Sequence, residues 1–245
     1  MQDKAVVSQF AENVYFGKPC GLLDQTAIAF GGLKKLDFKK QGLIEVSKIN
    51  NTLQDYSLVL INTGGSHENL TDEYASIPAE TFSVAKALNG QRLINIDKET
   101  FFEKAQEILS KVSDRAILRA YHFFEENDRV DLACESLNNN DYDTFLTCVK
   151  ESGISSMCKL QNFFVVGSDW QVIPKYLSIA SVYLNGGVNR VHGGGFAGTI
   201  LNIVKNDTLE RFICSVSKHF GSKKVLPLRV RSCGAKVLWF TSKTN

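Results

Sequence analysis

In the first 66 residues, the spacing of apolar side chains predicts two helices and three strands. Residues 4–15 carry apolar side chains three and four positions apart, as an amphipathic helix does. Gly17 and Pro19 are expected to end this helix, and a second, shorter helix is predicted over residues 25–30. The predicted strands are residues 34–38, 42–49 and 56–62. The third strand, YSLVLIN, is expected to be buried because it is short, apolar and rich in strand-forming residues.

The pattern between residues 78 and 185 is helical, and strands return after it. The predicted helices cover residues 78–89, 98–112, 114–138, 141–160 and 172–185, with Asp97, Ser113 and Asn140 as N-caps. The predicted strands that follow are residues 187–191, 200–205, 225–231 and 236–240, with a helix at 207–220 capped by Asp207. This order of elements predicts an α+β fold, with helices on one face of a mostly antiparallel sheet.

One predicted helix, residues 114–138, has a polar face. Arg119, His122, Glu126 and Arg129 follow one another at three- and four-residue spacing. Such a set forms either a solvated face or an interhelical salt-bridge face.

Composition excludes several classes of function. The chain has 245 residues, 44% of them hydrophobic, which is enough for one large domain or two small ones. Its net charge is +2, and the basic residues form no stripe, so no nucleic-acid partner is indicated. The apolar runs are too short to span a membrane, and the first residues lack the apolar core of a signal peptide. We therefore expect a cytoplasmic protein.

The cysteines and histidines indicate neither disulfides nor a zinc site. The six cysteines are scattered without C-x-x-C spacing, and the four histidines do not cluster with them. In a chain that lacks a signal peptide, such cysteines are expected to be reduced thiols.

The segment ENVYFGKPCGLLDQ, residues 12–25, places one acid in an apolar run. Asp24 is flanked by Leu22, Leu23, Ala27 and Ile28, and burying a charge without partners is costly. One interpretation makes Asp24 the N-cap of the helix that starts at residue 25. The other makes it a catalytic carboxylate at a helix start, where the helix dipole favours a negative charge. Spacing alone does not decide between them.

The segment HGGGFAGT, residues 192–199, contains a glycine motif. Gly193, Gly195 and Gly198 match the G-x-G-x-x-G fingerprint of dinucleotide-binding folds, but that fingerprint requires a helix after it. Here a strand is predicted to follow, so the segment is a connection between strands. It is either a tight turn or a loop that leaves room for a substrate and offers N–H groups to an anion.

Two further side chains are candidates for chemistry. Tyr74 is the last residue of the polar loop predicted after strand 56–62, residues 63–74. It combines an apolar body with a polar tip, which suits contact with a sugar, although tyrosines more often serve packing. In the same loop, His67 and Glu68 are expected to be solvated. Glu12 and Asp24 lie near the ends of adjacent helices and are a candidate pair for metal-assisted transfer, one holding Mg²⁺ and the other accepting a proton.

Four segments together resemble galactokinases of the GHMP sugar-kinase family. They are AENVYFGKPCGLLDQ, NTGGSHENLTDEY, RAYHFFEENDRV and RVHGGGFAGTI, in this order and spacing. The resemblance covers nearly the whole chain, and the GLLDQ segment followed by DEY is more specific than the glycine motif. It implies a GHMP-kinase-like α+β fold, with part of an amino-terminal domain at residues 1–66. A ferredoxin-like carboxyl-terminal domain with added helices is implied at residues 67–245.

The resemblance also implies roles for individual residues. Asp24 matches the family's catalytic aspartate, which contacts the anomeric hydroxyl of the sugar and is usually given as the proton acceptor. Tyr74 matches a sugar-contacting tyrosine, and Glu12 matches an acidic Mg²⁺ ligand. The glycine motif, implied to line the cleft beside the ATP phosphates, comprises Gly193, Gly194, Gly195 and Gly198.

Two family segments do not occur in these 245 residues. One is similar to GRVNLIGEHTDY and supplies sugar-binding groups, and the other is a serine- and glycine-rich loop that cradles the ATP phosphates. The resemblance therefore implies a galactokinase that is truncated or split, with ATP, Mg²⁺ and galactose as ligands and little activity alone. A separate amino-terminal kinase fragment is a possible partner. The alternatives are a non-catalytic sugar-sensing or interaction module and an N-acetylgalactosamine kinase.

A structural expectation follows from the missing segments. The buried faces of residues 1–66 would lack partners, leaving an exposed apolar patch around Phe10, Val14, Leu58 and Leu60. Such a patch predicts poor solubility of the chain alone or association with another chain.

Overall fold

A computed structural model describes residues 1–17, 20–40, 42–50, 53–64 and 70–236 of the chain. The chain forms two compact units, the first made of Met1–Thr52 with Arg229–Asn245 and the second of Leu53–Leu228. We call them the terminal unit and the central unit. The expected division at residue 66 refers to the two domains of the related kinases, and it stays a prediction.

The terminal unit consists of two helices, a strand pair and a returning segment. Its elements are α1 (Gln2–Phe10), a π-helical turn (Ala11–Tyr15), α2 (Leu23–Phe30), β1 (Lys34–Asp37) and β2 (Glu45–Lys48). The strands are antiparallel, with Leu36 opposite Val46. These elements agree with the predicted ones to within a few residues at their ends.

The returning segment, residues 229–236, packs against the end of α2. Gly32 N donates to Arg231 O at 2.7 Å, and Ala235 N donates to Ala29 O at 3.2 Å. A Cβ atom on Gly31 would lie 2.4 Å from the carbonyl carbon of Cys233, so glycine is required by this close approach. The strand predicted over residues 225–231 ends at Leu228, and that predicted at 236–240 lies almost wholly outside the described residues.

The first helices expose much apolar surface. Phe10 is 62% exposed and Val14 is 63% exposed, and both Tyr15 and Phe16 are exposed as well. The exposed apolar side chains expected for this end of the chain are therefore present. In the central unit, Leu58 and Leu60 are half-buried, so the expectation of a strongly exposed patch is wrong for these two.

The central unit is built on a four-stranded antiparallel sheet. Its strands are β3 (Tyr56–Asn62), β4 (Val188–His192), β5 (Thr199–Lys205) and β6 (Val225–Leu228), in the order β4-β5-β3-β6. Helix α7 (Val172–Ser181) precedes β4, and α8 (Leu209–Phe220) precedes β6. The order strand, helix, strand, strand, helix, strand is that of a ferredoxin-like fold. The predicted α+β class is confirmed.

The core of the central unit lies between one sheet face and helices α7 and α8. Ile61 stands opposite Ile200, and Val59 stands opposite Asn202. Val59, Ile61 and Ile200 pack in one cluster with fully buried helix residues. From α7 and α8 the cluster includes Ile173, Ala180, Phe212 and Val216.

Four further helices are inserted between β3 and α7. They are α3 (Thr71–Ala87), α4 (Lys98–Ile108), α5 (Asp114–Asn138) and α6 (Tyr142–Ser155), the last continued by a π-helical turn (Ser156–Leu160). Helices α3, α4 and α5 enclose a second apolar cluster that includes Phe101, Ala120 and Phe124. These are the added helices that the resemblance implied.

Two predicted N-caps are confirmed and two are wrong. The side chain of Asp97 accepts from Thr100 N, and that of Ser113 accepts from Ala116 N. The cap of α6 is Asp141 and not Asn140, which has a φ of +59° just after α5. Asp207 lies in a short 3₁₀ turn before α8, whose N-cap position is occupied by Thr208.

Helix α3 begins seven residues earlier than predicted. The prediction assigned residues 63–74 to a turn-rich polar loop and started this helix at Pro78. In the structure the helix begins at Thr71 and includes Pro78. Tyr74 is therefore a helical residue in the first turns of α3 and not a loop residue. His67 and Glu68 lie outside the described residues.

The polar face of α5 is an interhelical network and not a solvated face. Glu126 pairs with Arg129 on its own helix and with Arg190 of β4, whose Nη1 lies 3.6 Å from Glu126 Oε1. Arg190 also contacts the hydroxyl of Ser152 on α6. The network thus joins α5, α6 and the strand that precedes the glycine motif.

His122 makes this network sensitive to pH. Its Nδ1 lies 2.9 Å from the Ser155 hydroxyl, and burial lowers the pKa of the imidazole. The carboxylates of Glu126 and Glu125 oppose this effect, and the guanidinium groups of Arg129 and Arg190 reinforce it.

We expect acidification to destabilise the chain through His122. Because the pKa of His122 is lowered in the folded state, protonation of this residue costs free energy of folding. The free energy of unfolding is therefore unaffected above the ordinary pKa of about 6.5 and decreases as the pH falls below it. Between about pH 7.5 and 5.5, the free energy of unfolding in urea should therefore decrease. A His122→Gln variant should show a flatter pH dependence than a His219→Gln control. Equal slopes for the two variants would exclude His122 as the cause.

Candidate functional site

The predicted carboxylates, Glu12 and Asp24, lie in the terminal unit. Helix α1 of this unit changes to π-helical geometry at Ala11. Glu12 lies in the π-helical turn that continues α1. Such turns inside α-helices are frequent at functional sites. The turn and the last turn of α1 both bind the segment that leads to α2. Asn13 Oδ1 in the turn accepts from Cys20 N at 2.7 Å, and Gln9 Nε2 in α1 donates to Cys20 O at 3.0 Å.

Glu12 is joined to the start of α2 by Gln25. Gln25 is buried, and its Nε2 donates to Glu12 Oε1 at 3.1 Å and to Cys20 Sγ at 3.3 Å. Its Oε1 has no hydrogen-bond partner among the described residues. Gln25 therefore orients the Glu12 carboxylate, and sequence reasoning missed this role. The sequence signal for this role is the glutamine side chain directly after Asp24.

Asp24 is neither buried nor the cap of α2. The helix begins at Leu23, its N-cap position is occupied by Leu22, and Asp24 is an exposed residue of the first turn. The interpretation of Asp24 as N-cap is therefore wrong. Its position in the first turn agrees with the other interpretation, because the N-terminal end of a helix favours a nearby negative charge.

In the central unit, the glycine motif connects β4 to β5, as the sequence predicted. His192 pairs with Thr199 at the ends of these antiparallel strands, so residues 193–198 form the turn of a hairpin. We call these six residues the glycine loop. Gly193, Gly195 and Gly198 have φ values of +76°, +82° and +92°, which glycine adopts without strain. Phe196, with φ +57°, is the non-glycine exception.

Three side chains hold carbonyl groups of the glycine loop. Tyr74 Oη donates to Gly195 O at 2.9 Å. Asn162 Nδ2 donates to Gly194 O at 3.1 Å, and Thr63 Oγ1 donates to Gly198 O at 2.9 Å. Neither Asn162 nor Thr63 was a predicted site residue, because their distance along the chain from the loop gives no local signal.

Tyr74 also packs against the glycine loop. Its ring meets that of Phe196 edge to face, with centroids 5.5 Å apart. A Cβ atom on Gly194 would lie 2.7 Å from Tyr74 Cε1, so the loop passes directly over the ring. Burial raises the pKa of the Tyr74 phenol, which keeps it protonated as a hydrogen-bond donor.

We expect Gly195→Ala to destabilise the chain far more than Gly193→Ala. A Cβ atom on Gly195 would lie 2.1 Å from the backbone oxygen of Asn162, whereas one on Gly193 meets no described atom within 4 Å. Both positions have positive φ, so the backbone penalty of about 1 kcal/mol is common to the two variants. The clash should bring the total for Gly195→Ala to about 3 kcal/mol. Urea unfolding measures both, and equal losses would contradict the close approach.

The structure places the predicted site residues in two groups. Glu12 and Asp24 belong to the terminal unit, and Tyr74 and the glycine loop belong to the central unit. Within the described ranges, no three histidine, cysteine or acidic side chains converge as ligands for a metal ion. None of the helices described is long and apolar enough to cross a membrane.

Comparison with known proteins finds galactokinases whose sequences are similar to this chain. A galactokinase of Glaesserella parasuis is 31% identical over 206 residues, covering 84% of this chain and 52% of the relative. A galactokinase of Haemophilus influenzae is 30% identical over 247 residues, covering 96% of this chain and 61% of the relative. The chain resembles galactokinases over most of its length. It spans about half to three fifths of these galactokinases' own length.

Solved structures agree on the fold. A Lactococcus lactis galactokinase complexed with galactose superposes with a TM-score of 0.75 at 22% identity, covering 96% of this chain and 60% of that one. The mevalonate kinase of L. major, in complex with R-mevalonate, gives a TM-score of 0.59 at 16% identity with the same coverage. The fold is therefore GHMP-kinase-like, as the galactokinase resemblance implied. No protein-family model matches the chain.

Proposed function

We propose that this chain is the part of a cytoplasmic galactokinase that carries the catalytic aspartate. The reaction is ATP-dependent phosphorylation of galactose at the anomeric hydroxyl, giving galactose 1-phosphate. The observation that supports the proposal most is the exposure of Asp24 in the first turn of α2, at the position that matches the catalytic aspartate of galactokinases. An exposed carboxylate at a helix start is available to a substrate hydroxyl.

In this proposal, Asp24, Tyr74 and the glycine loop each have a separate role in the reaction. Asp24 orients the anomeric hydroxyl and accepts its proton as the hydroxyl oxygen attacks the γ-phosphorus of ATP and the bond to the ADP oxygen breaks. Tyr74 contributes the apolar face of its ring to the sugar while its hydroxyl stays on Gly195 O. The glycine loop lines the cleft beside the phosphates and offers N–H groups to their oxygens.

Glu12 is the residue that would hold Mg²⁺. Its chemistry fits, because Mg²⁺ in kinases is bound by one or two carboxylates together with water and substrate phosphates. The bond from Gln25 occupies Oε1 of Glu12 and fixes the orientation of the carboxylate. When bound, the metal ion supplies positive charge that balances the negative charge of the transferred phosphoryl group.

The proposed activity requires segments that these 245 residues do not contain. Removing a single transition-state donor costs on the order of 10²–10³ in rate, and the serine- and glycine-rich phosphate loop supplies several. We therefore propose that phosphorylation occurs when the complementary part of a galactokinase is present, either in one polypeptide or as a separate amino-terminal fragment.

A coupled kinase assay with D-galactose, ATP and Mg²⁺ tests the proposal. The chain is assayed alone and after co-expression with an amino-terminal galactokinase fragment that contains the phosphate loop. We expect turnover only in the co-expressed preparation, and the fragment alone is the control. If the co-purified pair binds galactose but shows no turnover, the proposed function is wrong.

The alternative to this proposal is a non-catalytic sugar-sensing module. Such a module needs the sugar contact and not the ATP phosphates. Titration calorimetry distinguishes it, because the chain alone should then bind galactose without ATP and show no turnover with any fragment. Lack of galactose binding by the chain alone would contradict this second function.

A further inference from the structure

Asn162 is a buried polar residue to which neither the sequence motifs nor the proposed chemistry gives a role. It follows the π-helical turn that ends the α6 segment, and its side chain is only 2% exposed. Its Nδ2 donates to Gly194 O, and its backbone oxygen accepts from Phe196 N at 2.5 Å. Asn162 thus holds two consecutive peptide groups of the glycine loop from one side.

Tyr74 holds one of these same peptide groups by its carbonyl. The Gly195 carbonyl accepts from Tyr74 Oη, while the N–H of that peptide group, on Phe196, donates to Asn162 O. The orientation of this peptide is therefore set at both of its ends. Fixing this peptide also limits the orientation of its neighbour, because only φ and ψ of Gly195 separate the two peptide planes.

The neighbouring peptide joins Gly194 to Gly195. Its carbonyl points to the Asn162 amide, and no described peptide bond is cis. In a trans peptide the carbonyl and the N–H point in opposite directions, so the Gly195 N–H is directed away from Asn162.

We propose that Asn162 is a positioning residue that directs the Gly195 N–H towards a phosphoryl oxygen of the substrate. This inference rests on the proposed function for the nature of the ligand. The positioning of the loop itself rests only on the bonds described above. The Asn162 amide acts through the loop and does not touch the substrate.

Asn202 supplies a matched control. It is fully buried in β5, its Nδ2 donates to Val59 O at 3.1 Å, and its Oδ1 has no hydrogen-bond partner among the described residues. Asn162 shares these features, including an Oδ1 without a described partner. Asn202 differs in holding a strand of the sheet and not the glycine loop, so Asn202→Asp reproduces the chemical change without the proposed role.

The test is an Asn162→Asp variant studied as a function of pH. A carboxylate cannot donate to Gly194 O, whereas the protonated acid can, and the nearby carbonyl oxygens favour the protonated form. The bond should therefore be absent at about pH 8 and restored as the pH falls through the pKa of the new side chain. Amide NMR resonances of Gly194 and Gly195 report this directly, without a ligand.

We expect these resonances in Asn162→Asp to differ from wild type at high pH and to approach wild type at low pH. The Asn202→Asp control should leave them unchanged at both. Resonances of the glycine loop that are unaffected by Asn162→Asp would overturn the inference. If the aspartate variant does not fold, Asn162→Ser replaces it and should shift the same resonances independently of pH.

Ligand binding tests the consequence for the proposed function. In the preparation that contains the complementary kinase fragment, titration of galactose 1-phosphate should show affinity about tenfold weaker for Asn162→Asp than for wild type at high pH, the loss expected for one hydrogen bond. Galactose, which has no phosphate, should bind the two proteins alike. Equal weakening by Asn202→Asp, or none by Asn162→Asp, would overturn the inference. A wild-type preparation with the complementary fragment that binds neither ligand contradicts the proposed function, and the NMR result then decides the role of Asn162.

Discussion

Replacing Asp24 by asparagine is expected to reduce galactose phosphorylation by about 10²–10⁴-fold in a preparation that contains the complementary kinase fragment. Asparagine has nearly the same shape as aspartate, but its amide cannot accept the proton of the attacking hydroxyl. Because Asp24 is exposed in the first turn of α2 and has no capping role, the variant should fold normally. The loss should therefore fall on kcat, and the free energy of unfolding should change only by the small helix-dipole contribution of one first-turn carboxylate.

Asp3 provides the control for this experiment. It is also an exposed aspartate in the first turn of a helix, α1, and it belongs to the same unit. Asp3→Asn changes the charge and the helix dipole interaction in the same way without touching the proposed site. It should keep wild-type turnover. Comparable turnover of Asp24→Asn and Asp3→Asn would remove Asp24 from the proposed mechanism.

The largest expected loss of stability follows from replacing Arg119 by alanine. The Arg119 side chain is fully buried and donates to Glu80 Oε2 at 2.9 Å, to Ser76 Oγ at 2.9 Å and to Leu160 O at 3.1 Å. Burial lowers the pKa of its guanidinium, and the Glu80 carboxylate counteracts this. Without Arg119, Glu80 keeps only the partly exposed Arg115 as its cation among the described residues. Ser76 and Leu160 lose this buried donor. We therefore expect a loss of about 3–5 kcal/mol in the free energy of unfolding.

Arg115 is the matched comparison, because it binds the same carboxylate. Its Nη2 lies 2.6 Å from Glu80 Oε1, but its side chain is 34% exposed. Arg115→Ala should cost about 1 kcal/mol, since solvent screens this pair and water replaces the lost donor. Urea unfolding of the two variants measures the difference. If Arg119→Ala costs no more than Arg115→Ala, the buried pair does not hold α3 and α5 together.

Local signals in the sequence predicted the elements of the fold well. Strand β3 and helix α5 have the predicted limits, because an apolar run and a capped amphipathic pattern are set by neighbouring residues. The caps at Asp97 and Ser113 were predictable for the same reason. Asn140 and Asp207 were misassigned because a neighbouring residue competed for each cap position, and only the backbone conformation separates such alternatives.

The candidate site was predicted only in part. The motifs identified Asp24 and the glycine loop, but not the exposure of Asp24 at the start of α2. Gln25 and Asn162 were missed, since a buried amide has no periodic pattern and its partners lie far along the chain. Tyr74 was read as a loop residue because polar residues before Pro78 conceal the first turns of α3.

The sequence by itself determined the helices, most strands, the α+β class and the resemblance to galactokinases, because these depend on local spacing and on short motifs. Only the tertiary structure decided which distant groups meet. It brought residues 229–236 back to α2 and buried Arg119 against Glu80. It also placed the side chains of Tyr74, Asn162 and Thr63 within hydrogen-bonding distance of the glycine loop. The physical reason is that hydrogen bonds and ion pairs between remote residues depend on the packing of whole elements, which no local pattern records.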